Sequence, residues 1–230
     1  QIYDANGNVF VGNKAVQTIT FTRTNKMTAD AMRQVATKLV GLIPDAVNPK
    51  ELTERDKKDF FLADPDNLEK IQGQLSNKEK IDRKTGEKLD EGKLYAKYIS
   101  KVTASDIDFD QNTLIAATLY KKMNAKSNFA TTIIASGNFT ATQQAEIAEN
   151  ERAYKGISVG TTWEREYHDP TFASVVGTVT SEQIGIPAED LSAYLKKGYS
   201  RNDRVGTSYL EKGYEEALHG TSGVKQIIVV

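Results

Sequence analysis

Arg204-Val205-Gly206-Thr207-Ser208-Tyr209-Leu210-Glu211-Lys212-Gly213-Tyr214-Glu215-Glu216-Ala217-Leu218-His219-Gly220-Thr221-Ser222-Gly223 reads as a short helix held between glycines. Thr207 or Ser208 can accept a hydrogen bond from the free N–H groups of the first turn. Glu211 falls in that turn, where a negative charge meets the positive end of the helix dipole. Leu210, Tyr214 and Leu218 recur every four residues with Ala217 beside them, which makes one apolar stripe. Glu211, Glu215 and Glu216 then read as a solvated face plus a dipole partner. A buried ion pair from Glu211 to Arg165 or Arg204 is expected to fix the helix against a sheet. His219 sits at the negative end, and Gly220 offers a left-handed stop. Val224 to Val230 is strand-like.

Upstream, Asn6-Gly7 marks a hairpin between Ile2-Tyr3 and Val9-Phe10-Val11, because both turn residues tolerate positive φ. Val16 to Arg23 alternates as a half-buried strand. From Asn25 the period becomes helical. Thr28 is a cap, Met32, Val35, Ala36, Leu39 and Val40 form a stripe, and Gly41 is a stop. Pro44 and Pro49 mark a linker. Thr53 opens a helix carrying Phe60, Phe61 and Leu62, and Asp64-Pro65 opens another that Gly73 closes. Leu75 to Gly92 reads as an exposed polar loop. Leu94, Tyr95, Tyr98 and Ile99 make a short stripe, and Asp110 caps a longer helix to about Met123. Strand pattern returns at Thr131 to Ala135. Thr140 with Gln143 is a capping box. Gly156 to Arg165 and Ser174 to Thr180 are strand candidates, and Pro187 opens a helix with Leu191, Tyr194 and Leu195 that stops near Gly198. The fold expected is α+β. A discontinuous β-rich module, 1–24 plus 127–230, is interrupted by an all-helical head subdomain, 25–126.

Composition narrows the function classes. The chain has 230 residues, 39% hydrophobic and 27% charged, which suffices for one large or two small cores. The net charge of −1 and the absence of a basic tail give no footprint for a nucleic-acid partner. Lack of cysteine removes thiol catalysis, zinc–thiolate sites and disulfides. No apolar run is long enough to span a bilayer, and no signal peptide is visible. Strand pattern begins at Gln1 without a Met and continues to Val230, so we read the chain as trimmed from a longer polypeptide.

The opening stretch resembles the G-x-S-G-L-E-x-x-Y-E-x-x-L-x-G-x-x-G signature in the non-catalytic N-terminal region of class B penicillin-binding proteins. Gly206, Ser208, Leu210, Glu211, Tyr214, Glu215, Leu218, Gly220 and Gly223 match, while Tyr209 replaces the usual Gly. Ile2, Asp4, Asn6 and Gly7 resemble that family's opening R-G-x-I-x-D-R-N-G segment. Arg165, Tyr167, Ala173, Gly177 and Val179 resemble its R-x-Y-P-x-G-x-x-A-x-x-x-G-x-V segment, with His168 in place of Pro. Gly185 to Asp190, Tyr194 to Tyr199, Phe21 to Thr28 and Phe61 to Pro65 look like the 2b-type branch of Gram-positive bacteria. The structural signature so carried over is Asp4, Gly7, Arg165, Gly177, Arg204, Gly206, Leu210, Glu211, Tyr214, Leu218, Gly220 and Gly223.

The resemblance implies a parent that is a single-pass membrane protein with an extracellular transpeptidase domain, which cross-links peptidoglycan and is acylated by β-lactams. This chain would be its pedestal, or "dimerisation", region without anchor or catalytic domain. Its implied partners are its own C-terminal transpeptidase domain, a SEDS (RodA-type) glycan polymerase, other elongation-machinery proteins and a second copy of itself. No cofactor or metal is implied.

Short catalytic-looking strings also occur. Ser222-Gly223-Val224-Lys225 fits S-x-x-K, Ser136-Gly137-Asn138 and Ser200-Arg201-Asn202 fit S-x-N, and Lys84-Thr85-Gly86 fits K-T-G. Strings this short arise by chance in a chain of this length, and their order is reversed. Asp106-Ile107-Asp108-Phe109-Asp110 starts like a calcium loop, but Gln111 and Ala117 stand where Gly and Glu are needed. His168 and His219 lack local partner patterns. Tyr194, Tyr199, Tyr209 and Tyr214 suit a core or an interaction surface. The rival readings are a small secreted hydrolase and a peptidoglycan-binding module.

Overall fold

The computed structural model describes residues 1–43, 47–82, 85–125, 129–181 and 184–220. It is α+β, and its contacts divide the chain into two compact units. One is Val16–Thr162; the other joins Gln1–Ala15 to the described residues from Trp163 onward.

In the larger unit, Thr28 Oγ1 accepts the Ala31 N–H at 3.1 Å and starts helix α1, Ala29–Val40. Met32, Val35, Ala36, Leu39 and Val40 are its buried face, as their spacing demands. Asp110 Oδ1 accepts the Thr113 N–H at 2.7 Å and starts α5, Gln111–Asn124. Between them lie α2 (Glu54–Leu62), α3 (Pro65–Gly73) and α4 (Glu91–Lys101). Phe60 meets Tyr120 and Phe109 edge to face, with centroids 5.7 and 5.8 Å apart. A second cluster forms from Phe61, Leu62, Ile71, Leu75, Tyr98, Val102 and Ile107.

Strand β2 runs Val9–Thr22 and pairs antiparallel with β3, Thr131–Gly137. Ile19 faces Ala135 and Phe21 faces Thr132 across a register shift between Ile19 and Thr20. Ile19, Phe21, Ile134 and Ala135 join the same core as α1 and α5. The compact division therefore follows packing, whereas the 24/25 and 126/127 boundaries read from sequence follow element type. Helix α6, Ala141–Glu149, starts at the expected Thr140–Gln143 box. Strand β4, Ile157–Tyr167, pairs with β2.

The smaller unit opens with β1, Ile2–Tyr3, paired to β2 through Ile2↔Val11 and Tyr3↔Val9. The connecting turn is anchored by Asp4, whose Oδ1 accepts the N–H of Asn6 and of Asn8 at 2.8 Å each. Gly7 alone takes positive φ there, +84°. The turn is thus a longer loop and not a two-residue Asn6-Gly7 turn. The two strands expected between Val9 and Arg23 are one.

Other expectations are corrected. Ser174 to Thr180 is not a strand: α7 spans Ala173–Val176, Gly177 breaks it at φ +90°, and a lone bridge joins Val179 to Gly206. The helix after Pro187 starts at Leu191 and forms α8, Leu191–Lys196. The polar stretch after Leu75 holds a 3₁₀ turn, Asn77–Lys80, with Ser76 and Glu79 as its capping box, and an Ile81↔Lys88 bridge. Glu79 accepts from Ser76 and pairs with Lys101, and with Lys101 foremost these hold its carboxyl at about 2. Val224 to Val230 and Gly223 lie outside the described residues.

Candidate interaction site

The signature stretch forms two short helices in the smaller unit, α9 (Tyr209–Gly213) and α10 (Glu215–Leu218). The continuous helix expected from the spacing breaks at Tyr214, whose φ and ψ are −107° and 11°. Ser208 does not cap α9; its Oγ accepts the Thr178 N–H at 3.1 Å. Thr207 also bonds back to Thr178, accepting no helical N–H. Two glycines allow this close approach. A Cβ on Gly177 would lie 2.1 Å from Ser208 O, and one on Gly206 would lie 2.2 Å from the Glu211 carbonyl.

The two faces are inverted relative to the sequence reading. Glu211 is only 2% exposed, as the expected buried pair with an arginine requires, and Glu215 is buried as well, so the two are not a solvated face. Leu210, Tyr214 and Leu218, the expected core stripe, are exposed, and so is Tyr209. The reason is hydrogen-bond supply. A buried carboxylate persists only where donors meet it. Glu211 Oε2 accepts from Arg165 Nη2 at 2.9 Å, and Arg165 Nη1 donates to Asn13 Oδ1 at 2.8 Å. Glu215 Oε2 accepts the Gly206 N–H at 2.6 Å, and its Oε1 accepts the Tyr199 hydroxyl at 3.4 Å. Glu211 and Glu215 are four residues apart, so both side chains reach the same wall. The apolar stripe is left on the other side.

Further contacts fix the wall. Arg204 lies over the Trp163 ring, 4.5 Å from its centroid, and donates to the Trp163 carbonyl. The His219 ring stacks on Tyr199 with centroids 3.7 Å apart. Burial, then the nearby Glu215 charge, pushes the Tyr199 hydroxyl up to about 12. Burial, then the Glu211 charge, raises Tyr167, whose hydroxyl donates to the Gly177 carbonyl at 2.6 Å. Lys212 pairs with Asp190 at 3.0 Å and Lys197 with Glu216, tying α8 to α9 and α10. A cavity of about 450 Å³ is lined by Trp163, Arg165, Arg204, Glu211, Glu215 and His219. Glu211 Oε1 and Arg165 Nε are buried there without a hydrogen-bond partner.

This arrangement holds backbone in place; its carboxylates are engaged by an arginine, a main-chain N–H and a tyrosine. Asp4 and Gly7 are in the hairpin loop, away in sequence from this wall. Gly220 does not take positive φ, because His219 ends α10 in an extended conformation. Sequence reasoning passed over Asn13 and Trp163. Trp163, Arg165 and Tyr167 alternate along β4 and so share one face, which was the available signal.

The chance motifs stay apart. Ser136 lies within β3, and Ser200 donates its N–H to Asp203 Oδ2 at 2.7 Å. Among the described residues neither forms a hydrogen bond to a lysine. Gly86 turns at φ +74°, while Lys84, Ser222 and Lys225 lie outside the described residues. Asp106 accepts from Thr103 and pairs with Lys70, and Asp110 caps α5. No group of described His, Asp or Glu side chains could hold a metal. His168 is exposed, 3.9 Å from Glu166. Tyr194 and Tyr199 pack with Ile186, Leu191 and Val205. No described helix is long and apolar enough to cross a membrane.

Comparison with known proteins agrees along the whole chain. The family profile "Penicillin-binding Protein dimerisation domain" matches residues 1–230. Penicillin-binding protein 2B of Streptococcus pneumoniae strain D39 is 42% identical over 227 residues, 99% of this chain and 33% of that protein. Penicillin-binding protein 2A of Bacillus subtilis strain 168 is 35% identical over 224 residues, covering 96% and 30%. The solved structure of penicillin-binding protein 2B from S. pneumoniae strain 5204 superposes with a TM-score of 0.64 at 39% identity, covering 93% of this chain and 33% of that one. The chain thus spans about a third of the length of these relatives. With the profile matched over residues 1–230 and a relative 42% identical over 99% of the chain, this chain belongs to the penicillin-binding protein dimerisation-domain family.

Proposed function

We propose that this chain is the non-catalytic pedestal of a class B penicillin-binding protein, a serine-type peptidoglycan D,D-transpeptidase of cell-wall synthesis. Its work is to position the penicillin-binding catalytic domain above the membrane and to contact partner proteins. The observation that carries this reading is the inverted helix pair: charge is spent inward on holding backbone, and apolar side chains are left outward, free for contact. In this reading residues 25–126 are the head subdomain, and 1–24 with 127–230 form the α+β pedestal module that it interrupts. Asp4, Gly7, Arg165, Gly177, Arg204, Gly206, Leu210, Glu211, Tyr214, Leu218, Gly220 and Gly223 are its structural signature. The parent is a single-pass protein with this region on the extracellular face. A RodA-type glycan polymerase, other elongation-machinery proteins and a second copy are the further partners.

Fluorescent penicillin tests the reading. The full-length parent is expected to label covalently, and the 1–230 chain to stay dark. Labelling of the 1–230 chain, lost on Ser222→Ala, would overturn it.

A further inference from the structure

The ion pair between Glu211 and Arg165 is one hydrogen bond short on each side. Glu211 Oε2 accepts from Arg165 Nη2 at 2.9 Å, yet Glu211 Oε1 and Arg165 Nε are both buried without a partner. A charged oxygen left without a donor is costly, and such exceptions are rare in folded proteins. Its neighbour shows the contrast: Glu215 has the Gly206 N–H on one oxygen and the Tyr199 hydroxyl on the other. Both orphaned atoms belong to side chains that line the cavity of about 450 Å³, whose described lining lies wholly in the smaller unit. A single bridging water, with its share of roughly 30 Å³, would leave most of that space unused, and small-molecule sites run from about 300 to 1,000 Å³. The lining holds three carboxylates, Asp203, Glu211 and Glu215, against the guanidinium groups of Arg165 and Arg204, which favours a positive group inside.

We infer that this cavity is a binding site for a small molecule with an ammonium group beside a carboxylate or carbonyl oxygen, as in a free α-amino acid or the amino end of a short peptide. The ammonium donates to Glu211 Oε1, and the Asp203 carboxylate adds to the field that holds it. The neighbouring oxygen accepts from Arg165 Nε. A lone cation would leave Nε orphaned, and a lone anion would leave Oε1 orphaned, so a ligand with both groups completes the pair. The last torsion of a glutamate side chain is soft, and the carboxylate turns Oε1 toward the cavity as the ligand enters. Leu218 and Val179 supply apolar wall for the ligand's carbon atoms. The site is built from this chain's own residues and stands whether or not the chain is a pedestal.

Isothermal titration calorimetry of the 1–230 chain tests the site with L-alanine and L-alanyl-L-alanine, and with ethylamine, acetate and glycerol as part-ligands. At least one of the first two should bind saturably in about the millimolar range, and about tenfold or more tighter than each part-ligand. Tighter binding of alanine assigns the site to a free amino acid, and tighter binding of the dipeptide to a peptide end. Glu211→Gln removes the charge that the ammonium meets and should weaken binding about tenfold. That change also loosens the fold, so Leu218→Arg is the second variant. Leu218 is about half exposed and lines the cavity, so the chain keeps its fold while an added cation repels the ammonium. Alanine and the dipeptide should again bind about tenfold more weakly, with the circular dichroism spectrum unchanged. Equal binding of ethylamine, acetate or glycerol, or an affinity indifferent to Leu218→Arg, overturns the site. So does the absence of saturable heat up to roughly 50 mM, which leaves the cavity to water.

Discussion

The two compact units solve the burial problem in opposite ways. In Val16–Thr162 one continuous core runs from Ile19 and Phe21 through Met32 and Leu39 to Leu119 and Ile134. In the other unit the described apolar cluster is Ile186, Tyr199 and Val205, with Leu191 and Tyr194 against it, and Val11 and Val176 are buried besides. Exposure mirrors this. Of the twelve large apolar side chains exposed among the described residues, all but Ile81 and Phe129 belong to the smaller unit. The larger unit is held by the hydrophobic effect. The smaller is held by buried polar pairs and glycine-tight backbone, and keeps its apolar area outside. A domain built in the second way trades core for contact surface.

The largest expected effect comes from cutting the larger core. Leu39 is fully buried among α1 and α5 residues, so Leu39→Ala should destabilise by about 2–5 kcal/mol. The matching change in the smaller unit, Leu218→Ala, should stay within about 0.5 kcal/mol, because Leu218 is about half exposed. Urea unfolding of the 1–230 chain, followed by far-ultraviolet circular dichroism, measures both. Equal losses would break the contrast.

A somewhat smaller effect should follow from Glu211→Gln. The amide can still accept from Arg165 but leaves that guanidinium, itself only 13% exposed, without its counter-charge. Removing one partner of a buried pair costs about 3 kcal/mol at the lower end of the usual range. Trp163 is the single tryptophan and lies 5.7 Å from Arg165, so its fluorescence reports this unit. The Trp163 midpoint should fall further than the helical signal. An unmoved midpoint would mean that the main-chain clamp at Gly177 and Gly206 suffices alone.

Legibility in the sequence divides along the same line. Helices α1, α2, α3, α5 and α6 were readable because each pairs a local cap with apolar residues that face a hydrophobic cluster: Thr28, Thr53, Asp64, Asp110 and Thr140 all cap as their positions suggest. Cap and stripe there are decided by neighbours within a turn or two. In the smaller unit the period misled. Leu210, Tyr214 and Leu218 have core spacing, but the face that turns inward was chosen by the Arg165 guanidinium, far from Glu211 in sequence and itself donating to Asn13, and by the Gly206 N–H. Ser174 to Thr180 failed likewise: its residues favour strand, yet the Tyr167 hydroxyl and Ser208 hold Gly177 and Thr178 in a helix-to-loop exit. The pairing of Glu211 with an arginine was foreseeable from charge, and the burial of Glu215 was not.

The smallest effect concerns alkaline pH, where one tyrosine reports on each unit. Tyr120 in α5 is held up to about 12 by burial, then by the Asp59 charge, and Tyr199 to about 12 by burial, then by Glu215. Both stay protonated in the folded chain after an unfolded tyrosine has ionised near 10. Between about pH 10 and 12 the unfolded state therefore binds fewer protons, and stability must fall as pH rises. Below pH 10 both states carry the proton, and neither tyrosine contributes a slope. Tyr120→Phe should flatten the decline seen by circular dichroism, and Tyr199→Phe the decline seen by Trp163. The two should differ in residual stability at neutral pH. Tyr120 meets Phe60 within a continuous apolar core, which a phenylalanine fills equally well. Tyr199 donates its hydroxyl to Glu215, so its loss leaves a buried carboxylate with one donor fewer. A Tyr199→Phe chain as stable as the parent at pH 7 would show that the Gly206 N–H alone satisfies Glu215, and would weaken the view that polar pairs hold the smaller unit together.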